Sequence, residues 1–224
     1  MIDILLMDTA VSSASGCLAR DGKKISLRTN ESQKDHAAWI HTAIKEVLEE
    51  GNSTIEKISA VAISNGPGSY TGLRVGLSAA KGICYAAKKP LITVNTLLLM
   101  AMAAKDCEAD LLCPMIDARR MEVFTAVYSK DLVPVIAPCN MILDENSFKS
   151  LLEKTTICFF GNGSEKFLSV YPHKNALLKI VVFSAADMAN LVYKKFEYGD
   201  YEDLAYAEPY YIKEFYLPSV KHLI

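Results

Sequence analysis

Two apolar runs, each ending on an aspartate, constrain this chain more than any other feature. Ile2 to Asp8 opens the sequence, and Leu111 to Asp117 repeats the pattern near its midpoint. A short, predominantly apolar run reads as a strand buried on both faces. Two further strands follow each run. They are Ser15 to Arg20 and Lys24 to Thr29 across Asp21-Gly22, then Met121 to Tyr128 and Val133 to Met141 across Lys130-Asp131. A helix and a strand come next in both halves. The first helix spans Asp35 to Glu50, with Asp35 as N-cap and Gly51 as stop, and leads to a strand from Ile58 to Ser64. Its counterpart spans Asp144 to Lys154 and leads to a strand from Thr156 to Phe160. Met7-Asp8 and Ile116-Asp117 thus hold equivalent places in two copies of β-β-β-α-β, with little side-chain identity between them.

The remaining elements complete each half. In the first, a glycine-rich loop from Asn65 to Gly72 enters a helix ending near Lys88, Leu91 to Val94 is a strand, and Thr96 to Lys105 is helical. In the second, a Gly161-Asn-Gly163 loop precedes a strand at Leu178 to Phe183 and a helix at Ser184 to Tyr198. Three antiparallel strands followed by alternating helices and strands predict a mixed five-stranded sheet flanked by helices. Duplicated, this is the α/β architecture of the actin-like, ribonuclease-H-like superfamily of sugar kinases and heat-shock ATPases. Over 224 residues, two domains of roughly 100 residues are expected. The first is 1–106, carrying the glycine-rich loop; the second is 107–224, its C-terminal segment packing back towards the first.

Charge and cysteine usage narrow the function classes. There are 24 Lys and Arg against 26 Asp and Glu, a net charge of −2. A self-sufficient nucleic-acid binder carries a basic surplus or stripe, and no basic run here exceeds Arg119-Arg120 or the lysine pairs starting at 23, 88 and 194. The mean hydropathy of +0.16 lies on the apolar side and points to surface buried against a partner. The first residues have no basic stretch ahead of their apolar run, and Leu91 to Ala104 is shorter than the ~20 residues of a membrane span. A cytoplasmic protein without membrane contact is expected. The six cysteines, at 17, 84, 107, 113, 139 and 158, include no C-x-x-C pair. They read as small buried thiols in a reducing compartment.

The segment Asn65-Gly-Pro-Gly-Ser-Tyr-Thr-Gly-Leu-Arg74 joins a buried strand to a helix, a place where free N–H groups and the helix dipole hold anions. It lacks the Gly-Lys-Ser/Thr of a Walker loop, and Thr71 replaces the third glycine of a dinucleotide fingerprint. A steric reading competes with anion binding, and the chemistry favours it: glycines 66, 68, 72 and 76 allow a tight turn and close helix packing. On the anion reading Asp8, Gly66, Gly68 and Ser69 form a weak ATP or ADP site; no intrinsic cofactor is expected. Asp8 and Asp117 are placed to bracket a metal–nucleotide phosphate, yet neither is followed by a glycine turn, and Arg119 lies beside the second. His36, His41, His173 and His222 show no metal-ligand spacing, and no G-x-S-x-G elbow is present. No metal site and no catalytic residue are expected.

The first helix carries too much apolar surface for one contact. Ala37, Trp39, Ile40, Ala43, Ile44, Val47 and Leu48 span about half of its circumference, against the ~100° stripe that a sheet-packed helix requires. The excess calls for a second buried contact, from the same chain or from a partner subunit.

Gly66-Pro-Gly-Ser-Tyr-Thr-Gly-Leu-Arg74 closely resembles the GPGSFTGLR signature of the bacterial TsaB (YeaZ) family, glycoprotease-like subunits of the tRNA threonylcarbamoyladenosine machinery. Leu5 to Ala10, His36, Val94 to Leu97, Ile116-Asp-Ala-Arg119 with Glu122-Val123, and Ala207-Glu-Pro-Tyr210 extend the likeness over nearly the whole chain. Tyr70 replaces the usual Phe, Lys213 a common Arg, and Thr42 a helix-bending Pro of many relatives. The resemblance implies a non-catalytic dimerisation or scaffold subunit required for N6-threonylcarbamoyladenosine modification of tRNA. It implies pairing with the catalytic subunit TsaD, an ATPase partner TsaE, self-association as a homodimer when alone, and contact with tRNA only indirectly. The metal-binding H-x-x-x-H of TsaD falls here on Thr96 and Met100, neither of which does an imidazole's work. The implied pairing face takes His36, Trp39, Ile40, Ala43, Ile44 and Val47 from the first helix, and Tyr70, Leu73, Arg74 and Leu77 from the second. Two rival classes stand beside it. One is an independent actin-like-fold enzyme, a small-molecule kinase or ATPase or a glycoprotease-like peptidase; the other is a homodimeric binding module.

Overall fold

Strands β1 (Asp3–Asp8), β2 (Ala14–Arg20), β3 (Lys23–Asn30), β4 (Ala60–Ser64) and β5 (Leu91–Val94) form the first sheet, in the order β3-β2-β1-β4-β5. The computed structural model describes residues 1–32 and 36–213; the expected N-cap Asp35 lies outside them. β1 runs antiparallel to β2 and parallel to β4, Met7 facing Ile63. Side chains alternate along a strand, so Leu5 and Met7 enter one layer while Ile4 and Leu6 enter the other. Helices α1 (His36–Glu50) and α2 (Tyr70–Ala87) cover the Leu5 layer. The broad apolar arc of α1 is thereby covered by its own chain: α1 packs on β2, β3 and α2 together.

The second sheet holds β6 (Leu111–Asp117), β7 (Glu122–Ser129), β8 (Pro134–Ile142), β9 (Ile157–Phe160) and β10 (Ala176–Leu178), in the order β10-β9-β6-β7-β8. Helices α4 (Lys149–Leu152) and α5 (Ser164–Val170) close one face through Leu152 and Phe167. The other face packs Leu112, Ala126 and Phe160 against Leu97, Met100 and Ala101 of α3 (Thr96–Ala103). So α3, encoded in the first half, covers the second sheet. Conversely, the 3-10 turn Ala185–Met188 and α6 (Ala189–Tyr198), encoded last, cover the Ile4 layer of the first sheet. Each half lends the other a covering element. Beyond α6 the chain stays on the first half: the Glu202 N–H donates to Leu91 O at 2.8 Å and the Tyr210 N–H to Asn65 O at 2.7 Å. Leu204 and Ala207 pack on its core. The duplicated α/β fold is the one expected from the sequence.

Local differences have physical causes. The strand expected at 178–183 stops at Leu178, because its parallel partner β9 has only four residues and pairing is exhausted at Phe159. The helix expected from Asp144 shrinks to α4. Ser147 Oγ and the Asn146 N–H both donate to Asp144 Oδ1 at 2.9 Å, a side-chain turn that competes with helix. α5 was not expected; its buried Ser164 and Phe167 with Leu168 and Tyr171 follow helical spacing, which is the signal that marks it. Six free thiols were expected, but Cys107 and Cys158 form a disulfide, with Cα atoms 6.7 Å apart. The turn after α3 brings Cys107 against β9 in the shared core. Burial pushes the remaining thiols of Cys17 and Cys113 up to about 12 and that of Cys84 to about 11.

Candidate functional site

The two halves leave a cleft of about 590 Å³ between them. Its walls are the loop after β1, the start of α2, and the β6–β7 turn, with His36, Asn162 and Lys213 at its edges. The strands that end on Asp8 and Asp117 lead to this cleft, yet the two acids differ in state. Asp8 is 1% exposed. Its Oδ1 accepts from the Ala10 N–H at 3.1 Å and from the Ser64 hydroxyl. Burial raises its pKa, opposed by Ser64, Ala10 and the nearby His36. Asp117 is exposed and accepts from Lys166 Nζ at 2.6 Å and the Arg119 N–H at 2.5 Å. Desolvation works to raise its pKa, but Lys166 and Arg119 prevail and hold it below the usual carboxylate range. Ser64 was missed in the sequence; its signal is the polar end of a strand parallel to β1, one step beyond the Met7–Ile63 pair.

The glycine-rich loop is shaped by packing. A Cβ on Gly68 would meet the Ala10 carbonyl, one on Gly72 the Thr9 carbonyl, and one on Gly66 the Tyr210 carbonyl. The N–H groups point inward too: Gly66 N–H donates to Thr96 Oγ1 at 3.0 Å, Ser69 N–H to Ala10 O at 2.6 Å, and Gly72 N–H to Ser69 Oγ at 3.3 Å. Ser69 thereby caps α2. The steric reading of these glycines is the one the geometry supports. Asp8 Oδ1, the Gly66 and Ser69 N–H groups and the Ser69 hydroxyl are thus used inside the fold.

Thr96 and Met100 sit deep inside. The Thr96 N–H donates to Gly66 O at 2.8 Å, and both residues are 1% exposed or less. Met100 fills the core beside Gly161. A hydroxyl tied to the loop and a thioether in the core do not suit the hard or borderline metal of a hydrolytic or transferase centre. Among the described residues no cluster of three or more His, Cys, Asp or Glu is placed to hold a metal ion.

The expected pairing face divides. Ile40, Ala43, Ile44, Val47, Leu73 and Leu77 are all 5% exposed or less, inside the first half's own core. They are corrected from surface to core residues, since α2 and the sheet together cover the α1 arc. His36 and Trp39 are half-buried, and the His36 Nδ1 lies buried without a hydrogen-bond partner among the described residues. Tyr70 and Arg74 are exposed, the guanidinium 4.0 Å from the Tyr70 ring centroid. Arg74 Nε also donates to the Tyr211 hydroxyl at 3.1 Å. Among the described residues no helix is long and apolar enough to cross a membrane.

A family model described as TsaD: tRNA N6-adenosine threonylcarbamoyltransferase matches residues 28–207. The tRNA threonylcarbamoyladenosine biosynthesis protein TsaB of Escherichia coli K12 is 28% identical over 223 residues, 94% of each chain. The chain belongs to the TsaB (YeaZ) family. A Pseudomonas aeruginosa crystal structure described as similar to peptidase YeaZ superposes with a TM-score of 0.84 at 20% identity, covering 95% of this chain and all of the other. The activator of the 2-hydroxyisocaproyl-CoA dehydratase from Clostridium difficile, with bound ADPNP, superposes at 0.52 and 7% identity over 90% of this chain and 99% of that one. Both share the duplicated actin-like fold, and at these identities the likeness speaks for the fold alone. The fold uses the residues at 96 and 100 for loop anchoring and core packing.

Proposed function

We propose that this chain is a non-catalytic scaffold subunit in tRNA threonylcarbamoyladenosine biosynthesis, pairing with a TsaD-like threonylcarbamoyltransferase and working with a TsaE-like ATPase. The observation that carries the reading is the use of Thr96 and Met100. Where the catalytic relative is implied to hold metal-binding imidazoles, this chain has a hydroxyl bonded to Gly66 and a thioether sealed in the core. A chain of this fold without those ligands serves its pathway by binding. Internal use of the Gly66, Ser69 and Gly72 N–H groups supports the same view for nucleotide: any ATP or ADP binding by this chain is weak and incidental. In the proposed assembly the pairing face is the outer side of α1 and α2, where His41, Thr42, Gly82 and Tyr85 are exposed. In the absence of its partner the same face supports a homodimer.

The test is reconstitution of tRNA modification with the catalytic subunit and the ATPase, with and without this chain, then with Tyr85→Asp. Activity is expected to require the chain and to fall at least ten-fold with the variant. Full activity without the chain would sink the reading. ATPase or peptidase turnover by the purified chain, abolished by Asp8→Ala, would favour an independent enzyme instead.

A further inference from the structure

We propose that the rim of the inter-sheet cleft at the β6–β7 turn is an RNA-contacting surface, where Arg119 and Arg120 bind the phosphate backbone of the tRNA substrate. The inference rests on the tRNA-modification reading above. Local charge supports it first. At the cleft mouth Lys166 pairs with Asp117 and Lys213 with Glu122, each at 2.6 Å. Each carboxylate is thus taken by a lysine, and Arg119 and Arg120 add further positive charge beside Asp117 and Glu122 without a contact ion pair among the described residues, so cations outnumber acids there. The backbones of Arg119 and Arg120 are engaged, by Asp117 and Lys166 respectively; among the described residues neither guanidinium group makes a hydrogen bond or a contact ion pair. A chain of net charge −2 therefore carries a cationic rim that its overall balance hides.

Backbone geometry is the second support. Arg119 and Arg120 have φ of 70° and 50°. Two consecutive residues with positive φ are the pattern of an Asn-Gly turn, and folding alone favours those residues there. Both arginines are exposed and contribute nothing to either core. Their side chains thus suit a ligand better than they suit the turn.

The third support is the chemistry of the neighbours. Guanidinium forks bind phosphate oxygens bidentately. Tyr70 and Tyr211, 40% and 37% exposed, stand beside Arg74 with ring centroids 5.7 Å apart. Arginines interleaved with aromatic faces are the makeup of RNA-binding surfaces. A small nucleotide fits less well, because the Gly66, Ser69 and Gly72 N–H groups are engaged internally, while the arginines stand on the rim.

The test uses the assembled complex of this chain with its catalytic subunit, and a fluorescently labelled unmodified tRNA transcript followed by anisotropy over a salt series. Arg119→Asn with Arg120→Gly removes both charges and suits the turn. The double variant is expected to melt at or above the wild-type temperature while binding tRNA at least ten-fold more weakly. The slope of log affinity against log salt should fall by about 1.5, since each phosphate that an arginine neutralises adds ~0.7–0.9 to it. Arg119→Lys with Arg120→Lys should restore most of the affinity. Unchanged affinity and slope in a complex that still assembles would overturn the inference and leave the scaffold reading intact. Loss of ATP binding with tRNA affinity retained would assign the arginines to a nucleotide and overturn it as well. Modification that proceeds without this chain would sink the scaffold reading and, with it, this one.

Discussion

Thr9 Oγ1 donates a 2.8 Å hydrogen bond to the carbonyl oxygen of Gly72, clamping the loop after β1 onto the first turn of α2. The approach is so close that a Cβ on Gly72 would run into the Thr9 carbonyl, and one on Gly76 into the Thr9 side chain. The loop has little room to retreat, since the Ser69 N–H also holds Ala10 O at 2.6 Å. Gly72→Ala is expected to destabilise the chain by about 2–3 kcal/mol, in the range of overpacked cores. The midpoint of chemical denaturation checks this. An unchanged midpoint would mean that the loop and α2 separate freely.

Asp8 makes a pH prediction whose sign runs against that of most carboxylates. Burial is the largest influence and raises its pKa above the ordinary value of 3.8. The folded state then holds the proton more tightly than the unfolded chain. Its contribution to stability is complete below about pH 4 and is lost as pH rises through the folded pKa. Asp8→Asn keeps an oxygen to accept from Ser64 and Ala10 and cannot ionise. The variant is expected to match or exceed the wild type in stability at neutral pH, and to flatten the stability profile above about pH 4. Denaturant titrations across that range measure it. A large loss of stability at neutral pH would show that Ser64, Ala10 and His36 hold the ionised carboxylate better than water does.

The two aspartate-ended runs were legible in the sequence because a doubly buried strand leaves its middle positions apolar, from Ile4 to Met7 and from Leu111 to Ile116. The glycines at 66, 68, 72 and 76 were legible as crowding for the same kind of reason: close backbone approach excludes every side chain. What could not be read was which element covers which face. The α1 arc left its second contact open between the same chain and a partner, because nothing in residues 36–50 says that α2 and two strands already bury Ile40, Ile44 and Val47. Likewise Ser184 to Tyr198 gave a helix but not its destination on the other half's sheet. The apolar stretch after Leu178 carried a strand pattern, yet Ile180 and Val182 are 92% and 89% exposed because no neighbouring strand reaches them. Arg119-Arg120 stood out only as the longest arginine run; its backbone and the exposure of its side chains are properties of the folded turn.

The exchange of covering elements can be tested through Met188. This side chain is fully buried against Ile4, Leu6 and Ile92 of the first sheet, although it belongs to the last fifth of the chain. Met188→Ala is expected to cost about 2–5 kcal/mol, as buried Met truncations do. Hydrogen exchange should locate the loss in β1, β2 and β5, with β6 to β9 less affected. Loss confined to the second sheet would contradict the packing of the 3-10 turn Ala185–Met188 on the first.

Gly82 separates folding from assembly. It lies within α2, with nothing within 4 Å of the place a Cβ would take, one turn from Tyr85, which is 82% exposed. An exposed helical glycine is about 0.8–1 kcal/mol less favourable than alanine. In the isolated monomeric chain Gly82→Ala is therefore expected to raise stability by about that amount, measured by denaturant unfolding at low protein concentration. Gly82→Arg should fold equally well, since arginine is also a good helix former and the site is open. In the assembly the two substitutions part. If the outer side of α1 and α2 is the pairing face, a smooth stripe at Gly82 lets the partner approach closely, and an arginine there holds it away. Gly82→Arg should then elute as a folded monomer, fail to bind the catalytic subunit and fail to support tRNA modification. A folded Gly82→Arg chain that still assembles at full affinity would move the pairing face off α2.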